Sequence, residues 1–574
     1  MNRPNARRAL SVACAGVLVA SVAACASIPT TSSVMEGSAE VDDAQPIAFD
    51  VQGPAVDADP QQIVQGFVSA AQLGPASSQT FEIAREYTTP VARASWDQYT
   101  QVLMLSEYPQ WTVEEYDDAS ATTAVHGEAT VVASLDETGV YTELPEPSVV
   151  DVTFELARGT DGQWRISGLD DGLLVLAEFL TDGFHRTPLY YPTSDREWWV
   201  PAVRWYPKQS WRTAATQAIL AGPPEDLSQS AISVVPEGAT LAIDAVTVSN
   251  DGTIDVSLTS AITEAATEDR ALLVAQLEAT LREGDGRTVV LSEGTSPLAP
   301  TTAAEPSRPV TVGDAVAVQE TADGQVLRRV VGRELTDLAE PVDTSGLDVT
   351  AVGVGPDDGT IAVRDGTDRL LRLTDEGPVE LLVGRSLAAP SVDRFDMVWT
   401  ATGGGLRVVL PTGGAAPVGA EWLTGLPVRS LRVSPEGARV AVVTDGPDGA
   451  EVWSAGIERD AEDVPTGLST PVRVGGPVDD VVAVDWSEES TLTLLSDPPG
   501  APRTLSVAGV GGLAGSNDGL ARPLPTTEPP TAVATGVGAS PTLVLDDDGT
   551  LRVRQSAALW PAIASDVVAV AYPG

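Results

Sequence analysis

The hydrophobic residues of this chain follow three different patterns in succession. An unbroken run of apolar and small residues extends from Ala9 to Ala24, helical and strand patterns alternate from Asp59 to about Leu291, and short strand patterns alone continue from about Pro309. Helical spacing repeats apolar residues every three to four positions, whereas a half-buried strand alternates at every second position. Because 574 residues are too many for one hydrophobic core, these patterns predict several domains.

The first folded unit begins with a helix that has a clear start signal. Asp59 can cap this helix, Pro60 suits its first turn, and Gln62 stands at the capping-box position. The apolar face of this helix consists of Ile63, Val64, Phe67, Val68 and Ala71, and a second helical stretch spans Thr80 to Tyr87. Period-two patterns then occupy Trp111 to Tyr116, Thr122 to Leu135, Val149 to Leu156 and Trp164 to Ile166.

Helices followed by antiparallel strands predict an α+β domain over residues 55–195. The end of this pattern, Asp161 to Ile166, resembles a closing strand of the nuclear-transport-factor-like fold. Such a fold would serve either as an enzyme or as a binding scaffold.

A second α+β unit is predicted over residues 196–305. A helix starts near Ser210 and stops at Gly222, and Leu241, Ile243 and Val248 then precede a hairpin turn at Asn250 to Gly252. A later helix spans about Thr267 to Arg282, before a strand at Val289 to Leu291. Together with Pro236 to Thr240 and the segment Ala275-Gln276-Leu277, these features resemble the GerMN domain of sporulation and envelope proteins. That resemblance implies binding or scaffolding, since no catalytic residues can be carried over from it.

Residues 306–574 are predicted to form an all-β region that resembles a β-propeller. Strand and turn signals recur in units of roughly 40 to 60 residues, as propeller blades would produce. The clearest copy is Leu431 to Ala441, in which Ser434-Pro435-Glu436-Gly437 makes the turn between two strands. The remaining copies are degenerate, so the pattern leaves the number of blades open and a pair of β-sandwiches as the alternative.

The N-terminal segment has the features of a bacterial lipoprotein signal. Three arginines precede the apolar run, which at about sixteen residues is shorter than the roughly 20 that a spanning helix needs. The run ends at Val22-Ala23-Ala24-Cys25, which resembles a lipobox. We therefore predict a signal peptide over 1–24, S-diacylglycerol and N-acyl groups on Cys25, and a flexible tether over 25–54.

Composition excludes several classes of function. The formal net charge of −47, from 81 acidic and 34 basic residues, repels nucleic acid and anionic lipid. Cys14 and Cys25 are the only cysteines of the sequence, and His126 and His185 are its only histidines. The sequence therefore has too few cysteines and histidines to favour a disulfide framework, a histidine-ligated zinc site or a Ser-His-Asp triad. We expect no cofactor, no metal and no catalytic residue.

Two other segments raise the question of a ligand. Asp546-Asp547-Asp548 could bind calcium, but aspartate followed by glycine also simply makes turns. The segment Trp198 to Trp211 is rich in aromatic rings, and Trp199, Trp205 and Trp211 are candidates for stacking on a glycan. Aromatic side chains more often serve cores or domain joints, so packing is the favoured interpretation.

The lipobox, the Cys25-Ala26-Ser27-Ile28-Pro29 start and the order of the three units resemble the LpqB-family lipoproteins of actinobacteria over nearly the whole chain. The resemblance implies a non-enzymatic protein anchored by lipid to the outer face of the cytoplasmic membrane. It also implies a partner: the extracellular domain of an MtrB-like sensor histidine kinase, in an MtrA/MtrB-type two-component system linked to cell wall and division. The alternative is a lipoprotein that binds cell-wall glycan or peptidoglycan.

Substitution of the lipobox cysteine tests the anchor. In Cys25→Ser no thiol remains to form the thioether, so we expect labelled fatty acid to stay out of the chain and the protein to leave the membrane fraction. Cys14→Ser is the matched control and should keep both label and membrane association. Label that still enters the Cys25→Ser chain would contradict the assignment.

Overall fold

The computed structural model describes residues 51–574 except 118, 283–285, 300–303, 339–341, 357–358, 404, 447–448, 476–479, 513–521, 539 and 558. The predicted signal peptide, Cys25 and the predicted tether up to residue 50 lie outside the described residues. Residues Val51–Gly574 form one compact unit, in which three modules follow one another along the chain. Within the described residues, no helix combines the length and the apolar character needed to cross a membrane.

The N-terminal module packs helices against one face of a mainly antiparallel sheet, which confirms its predicted α+β character. Its helices are α1 (Pro60–Ala71), α2 (Ser78–Glu86) and α3 (Pro90–Ser95), with α4 (Leu180–Gly183) at its end. Its strands are β1 (Gln101–Leu105), β2 (Thr112–Val113), β3 (Thr122–Asp136), β4 (Tyr141–Arg158), β5 (Trp164–Gly168) and β6 (Leu173–Leu176). They are ordered β5-β4-β3-β1-β6, with β2 also paired to β3 and with the β1–β6 pair parallel.

Local chemistry starts α1 as the sequence predicts. The Asp59 carboxylate accepts the Gln62 backbone N–H at 2.9 Å, and the Gln62 side-chain oxygen accepts the Asp59 N–H at 3.1 Å. This reciprocal capping box satisfies two of the backbone donors that every helix start leaves free. The apolar face of α1 is buried, and Phe67 lies edge-on to Trp96 and Phe154 with ring centroids 5.0 and 5.8 Å away.

A two-stranded ribbon follows the N-terminal module. It consists of β7 (Phe184–Pro192) and β8 (Trp199–Pro207), which pair antiparallel without a register shift from Phe184 opposite Pro207 to Pro192 opposite Trp199. The sequence predicts the concentration of aromatic residues here but not the two strands. The reason is that most positions of β8 are buried on both faces, which hides the alternation that marks a strand.

The second module is an α/β layer around a parallel strand pair. Its elements are α5 (Trp211–Ala221), β9 (Thr247–Val248), β10 (Thr253–Leu258), α6 (Thr267–Leu281), β11 (Thr288–Glu293) and β12 (Ser296–Pro297). The helix α6 connects the parallel strands β10 and β11. Gly222 ends α5 with φ +94°, and Gly252 makes the β9–β10 turn with φ +85°. The predicted strand before this turn is too long, because Ile243 is exposed and lies outside the named strands.

The third module is a closed ring of six sheets among the described residues. The strands of the first three sheets are β13 (Ala315–Thr321), β14 (Gly324–Val331), β15 (Glu334–Asp337); β16 (Val349–Val354), β17 (Ile361–Asp365), β18 (Arg369–Thr374), β19 (Gly377–Val383); β20 (Ser391–Val392), β21 (Val398–Thr402), β22 (Gly405–Val409) and β23 (Ala415–Pro417). The others are β24 (Val428–Val433), β25 (Arg439–Gly446), β26 (Gly449–Arg459), β27 (Pro465–Leu468), β28 (Val472–Val474); β29 (Val481–Glu488), β30 (Thr491–Ser496), β31 (Thr504–Gly509), β32 (Arg522–Leu524); β33 (Pro530–Ala534), β34 (Leu543–Asp546), β35 (Leu551–Val553), β36 (Ala562–Ala564) and β37 (Val567–Ala571).

The arrangement of these sheets is that of a β-propeller. The C-terminal strand β37 pairs with β13 and completes the first blade from the other end of the module. The innermost strands β16, β20, β24, β29, β33 and β37 contact one another in that order, and β37 returns to β16. Such closure leaves each sheet packed against two neighbours, so the β-sandwich alternative is wrong and the open question of blade number is answered by six.

Two predicted turns have clear local causes. The Ser434 hydroxyl accepts the Arg439 backbone N–H at 3.1 Å, and Gly437 takes φ +71°, which makes the turn between β24 and β25. In the acidic segment, Asp548 accepts the Thr550 N–H at 2.9 Å, and Asp546 forms an ion pair with Arg552 at 2.6 Å. The carboxylates of Asp546 and Asp548 thus serve the β34–β35 turn.

Candidate binding cleft at a shared aromatic ribbon

The β7–β8 ribbon belongs to two hydrophobic cores at once. Phe184 and Trp205 are part of the N-terminal core, whereas Tyr190, Trp199 and Tyr206 are part of the core of the second module. Neighbouring residues of a strand point to opposite faces, so Trp205 and Tyr206 face different modules. The ribbon therefore joins the first two modules through buried side chains.

The propeller contacts the same ribbon at Trp205. The indole N–H of Trp205 donates to the Gly511 carbonyl at 3.0 Å, and its ring lies 6.1 Å from that of Tyr141 at the start of β4. Gly511 and Gly512 both have positive φ, at +79° and +83°. A Cβ on Gly512 would lie 2.1 Å from a ring carbon of Tyr141. Only glycine fits this position, where three modules meet.

Arginines supply further polar contacts across the module boundaries. Arg186 of β7 donates to the Ser490 hydroxyl at 3.0 Å in the propeller. Arg308 lies over the Tyr190 ring at 4.3 Å and forms an ion pair with Glu489 at 3.4 Å. Arg394 of the propeller forms an ion pair with Asp195, in the loop between the two ribbon strands. These contacts fix the ribbon against the propeller by both charge and shape.

Behind these contacts lies a fully buried ion pair. Arg439 and Glu436 are 2% and 0% exposed, and their side chains meet at 2.6 Å. The Arg439 guanidinium also lies 4.6 Å from the Trp486 ring centroid and donates to the Glu489 carbonyl at 2.6 Å. A buried charge is tolerated only when it is paired and hydrogen-bonded. Because Arg439 contacts both Glu436 and Glu489, it links the β24–β25 turn to the β29–β30 turn.

A cleft of about 860 Å³ opens where the three modules meet. The N-terminal module contributes Asp136 to Val140, the ribbon contributes Tyr191 and Arg204 to Pro207, and the propeller contributes Thr470 to Val472. The remaining wall comes from α5 and the residues that follow it, Gly222 to Asp226. Among the described residues, its lining thus combines aromatic rings, carboxylates and one arginine, which suits a ligand with both polar and apolar faces.

Burial affects the titration of several groups in this cleft, Asp226 and Tyr206 among them. Desolvation raises the pKa of the Asp226 carboxyl above its usual value, although Arg204, 3.9 Å away, opposes the shift. Burial raises the pKa of Tyr206 to about 12, so its hydroxyl stays protonated at neutral pH and can donate a hydrogen bond. The cleft therefore offers a donor hydroxyl, a cation and carboxylates to a ligand.

The structure buries all three tryptophans that the sequence marks as stacking candidates. Trp199, Trp205 and Trp211 are 0%, 3% and 5% exposed. Trp211 is stacked on His185 at 4.1 Å and has the Arg212 guanidinium over its ring at 4.2 Å. None of these indoles presents an open face to a sugar ring, so in this structure they act in packing, and Trp205 alone of the three lines the cleft.

Sequence reasoning did not identify the other cleft residues as a group. Arg204 and Tyr206 stand in the aromatic segment, where their residue types give a signal. Asp136, Asp226 and Thr470 come from turns in three different modules, and an acidic turn residue carries no signal in a chain with 81 acids. The remaining histidine, His126, lies outside the cleft and contacts Glu114 at 3.1 Å.

Comparison with known families matches all three modules. The model of the lipoprotein LpqB N-terminal domain matches residues 53–181, and the model of the lipoprotein LpqB β-propeller domain matches residues 324–573. The chain belongs to the LpqB family of lipoproteins. Between these two matches, a model described as sporulation and spore germination (Germane) covers residues 188–297, where the sequence resembles GerMN.

Curated relatives carry the LpqB name and extend over most of the chain. The lipoprotein LpqB of Bifidobacterium longum is 26% identical over 85% of this chain and 86% of its own length. That of Mycobacterium bovis is 25% identical over 97% of both chains. These relatives support a membrane-anchored lipoprotein.

Two gluconolactonases of known structure are similar to part of the chain. The periplasmic gluconolactonase PpgL of Pseudomonas aeruginosa is 13% identical with a TM-score of 0.30, and covers 46% of this chain and 99% of that one. A gluconolactonase of Xanthomonas campestris is 14% identical with a TM-score of 0.29, and covers 46% of this chain and 89% of its own.

The Gly512 contact provides a test of the joint. Gly512→Ala should destabilise the chain by about 2 kcal/mol more than Gly500→Ala, because the added methyl group collides with Tyr141. Gly500 is the matched control: it has φ +74° but open space around its Cβ position, so both variants share the backbone penalty. Thermal unfolding and protease sensitivity between modules would measure the difference. Equal unfolding temperatures would show that the contact contributes nothing.

Proposed function

We propose that this lipoprotein is a non-catalytic regulator that binds the extracytoplasmic domain of an MtrB-type sensor kinase and changes its activity. In this proposal the chain lies at the outer face of the cytoplasmic membrane, held by lipid on Cys25. Membership of the LpqB family supports the role, because the resemblance to that family implies an MtrA/MtrB-type system as the target.

The observation that carries the proposal is the joint around the β7–β8 ribbon. Trp205 contacts the N-terminal module, belongs to the ribbon and donates to the propeller through Gly511. A protein that presents one fixed surface to a partner loses less conformational entropy on binding than a set of loosely linked domains. The buried joint therefore favours a scaffold that acts as a unit.

Anchoring makes a weak contact sufficient. A lipid on Cys25 would confine the chain to the membrane that also holds the kinase, which raises the effective concentration of each partner for the other. The N-terminal module is the one joined most directly to the anchor, because it follows Cys25 in the chain before the other two modules. This module is therefore a natural surface for contact with a domain that lies close to the bilayer.

The cleft favours a second candidate function, recognition of cell-wall glycan. Its mixture of Arg204, Asp226 and the Tyr206 hydroxyl supplies polar contacts for sugar hydroxyls, and the apolar part of its lining suits the apolar faces of a sugar ring. The cleft thus replaces the buried indoles Trp199 and Trp211 as the place where a glycan would bind.

Reconstitution tests the kinase hypothesis. With the purified kinase and the lipidated chain in the same vesicles, we expect the autophosphorylation rate to change by about fivefold, the range of ordinary allosteric coupling. The Cys25→Ser chain at the same bulk concentration should have a smaller effect, which recovers when its concentration is raised. A rate that does not respond to saturating wild-type chain would rule out direct regulation.

A substitution that fills the cleft tests the glycan hypothesis. Ala218 lines the cleft on α5, so Ala218→Trp should reduce binding to isolated cell wall by at least about tenfold. The exposed Ala266, which precedes α6 outside the cleft, provides the control Ala266→Trp, which should bind like the wild type. Absence of wall binding by the wild-type chain, or equal binding by both variants, would end this candidate.

A further inference from the structure

Within the part of the chain that the structure describes, one strand of the N-terminal sheet has an open edge. Strand β4 pairs with β3 along most of its length, but with β5 only from Glu155 to Arg158. Seven consecutive residues of β4, from Pro145 to Asp151, are exposed. Unpaired strand edges readily accept another strand, and native proteins usually cover or block them.

Hydrogen bonds on the far side of β3 show which backbone groups face this edge. Ser106 donates to the Thr130 carbonyl at 3.0 Å, so Thr130 directs its backbone groups toward β1 and away from β4. In an antiparallel pair, the residue opposite also directs its N–H and C=O groups outward. Val149 lies opposite Thr130, and Asp151 lies opposite Glu128 two residues along. Their backbone groups therefore point to the open edge.

One side of this edge strand is acidic. The side chains of Val149 and Asp151 lie in a shallow groove of about 750 Å³ that also contains Glu107, His126 and Glu128. Among the described residues that line this groove there is no lysine or arginine. Asp151 and Glu128 are direct cross-strand partners, and like charges opposite each other destabilise a sheet unless a cation lies nearby.

The other side of the same strand is apolar. Val150 is 38% exposed and, with Val152, borders a pocket of about 280 Å³ next to Phe67, Leu103 and Leu174. Asp170 and Asp171 lie at the same pocket. Because side chains of an added strand alternate between the two faces, every second residue would meet the acidic groove and the residues between them would meet the apolar pocket.

We propose that the β4 edge binds an extended segment of a partner protein in which basic and apolar side chains alternate. Main-chain hydrogen bonds to Val149 and Asp151 would provide the pairing, and the two faces would provide the selectivity. The proposal rests on the proposed function, since it assigns the surface through which the kinase sensor domain is bound.

Charge complementarity favours this occupant over the two nearest alternatives. Residues 26–50 of the chain itself contain no lysine or arginine, so this segment cannot supply the basic side chains. Two copies of the chain joined edge to edge would bring Glu146, Asp151 and Glu155 of one strand close to those of the other. A basic segment from another protein neutralises the acids instead.

A designed peptide tests the pairing on the full lipidated chain in nanodiscs. The probe is an eight-residue peptide of alternating arginine and valine, and its control has the same composition arranged as one arginine block and one valine block. We expect the alternating peptide to slow amide exchange at Val149, Asp151 and Thr153 and to bind at least about tenfold more tightly than the control. Equal binding of the two peptides would overturn the proposal.

Substitutions at the edge separate strand pairing from general charge attraction. Val149→Pro removes an outward N–H that β3 does not use, so the fold should persist while peptide binding weakens up to about tenfold. Val149→Ala keeps this N–H and is the matched control. Asp151→Lys should weaken binding by more than about tenfold through like-charge repulsion. Unchanged affinity in both Val149→Pro and Asp151→Lys would overturn the assignment of this edge.

The same variants distinguish failure of this surface from failure of the proposed function. If Val149→Pro and Asp151→Lys alter the kinase rate as the wild type does, the β4 edge is not the kinase-binding surface, although regulation stands. If the wild type leaves the kinase rate unchanged, the proposed function itself fails. A wild-type dimer that becomes monomeric in Val149→Pro would show that a second copy occupies the edge and would overturn the basic partner.

Discussion

The structure depends on the burial of one aromatic ribbon between three modules. Trp205 illustrates the constraint, because its indole packs in the N-terminal core while its N–H group is held by Gly511 of the propeller. On the other face of the same strands, Tyr191 and Tyr206 belong to the second core. Large aromatic side chains dominate the energetics of cores and interfaces, so separating the modules would expose a large apolar area to water.

Few basic residues are available to this chain, and internal ion pairs, including one at the joint, use several of them. The chain has 34 basic residues against 81 acidic ones, and several arginines are used inside the molecule. Arg439 pairs with buried Glu436, Arg459 pairs with buried Asp393, and Arg394 reaches Asp195 across a module boundary. Arginines that form internal ion pairs do not neutralise carboxylates on the outer surface. The body therefore presents acidic surfaces, which select for basic partners and repel anionic lipid and nucleic acid.

The two proposed binding surfaces, the cleft and the β4 edge, are parts of the modules that the joint does not cover. The cleft exists because β3, α5 and the propeller approach the ribbon from different sides without filling the space between them. The β4 edge is open among the described strands because β5 covers only its last residues. Since these two surfaces lie on different parts of the fold, a glycan ligand in the cleft and a protein partner at the edge need not compete.

Local chemistry in the sequence by itself determined the helix start at Asp59, the helix end at Gly222, the hairpin at Gly252 and the blade turn at Ser434, because neighbouring residues supply every partner these features need. The order of α+β, GerMN-like and propeller-like units was also predictable, since periodicity and motifs are local signals. Only the tertiary structure decided the six-bladed ring, because β37 closes it against β13, about 250 positions earlier in the chain. It also decided the site: Trp205 meets a carbonyl 306 positions away, and Asp136, Asp226 and Thr470 gain meaning only when three modules bring them to one cleft.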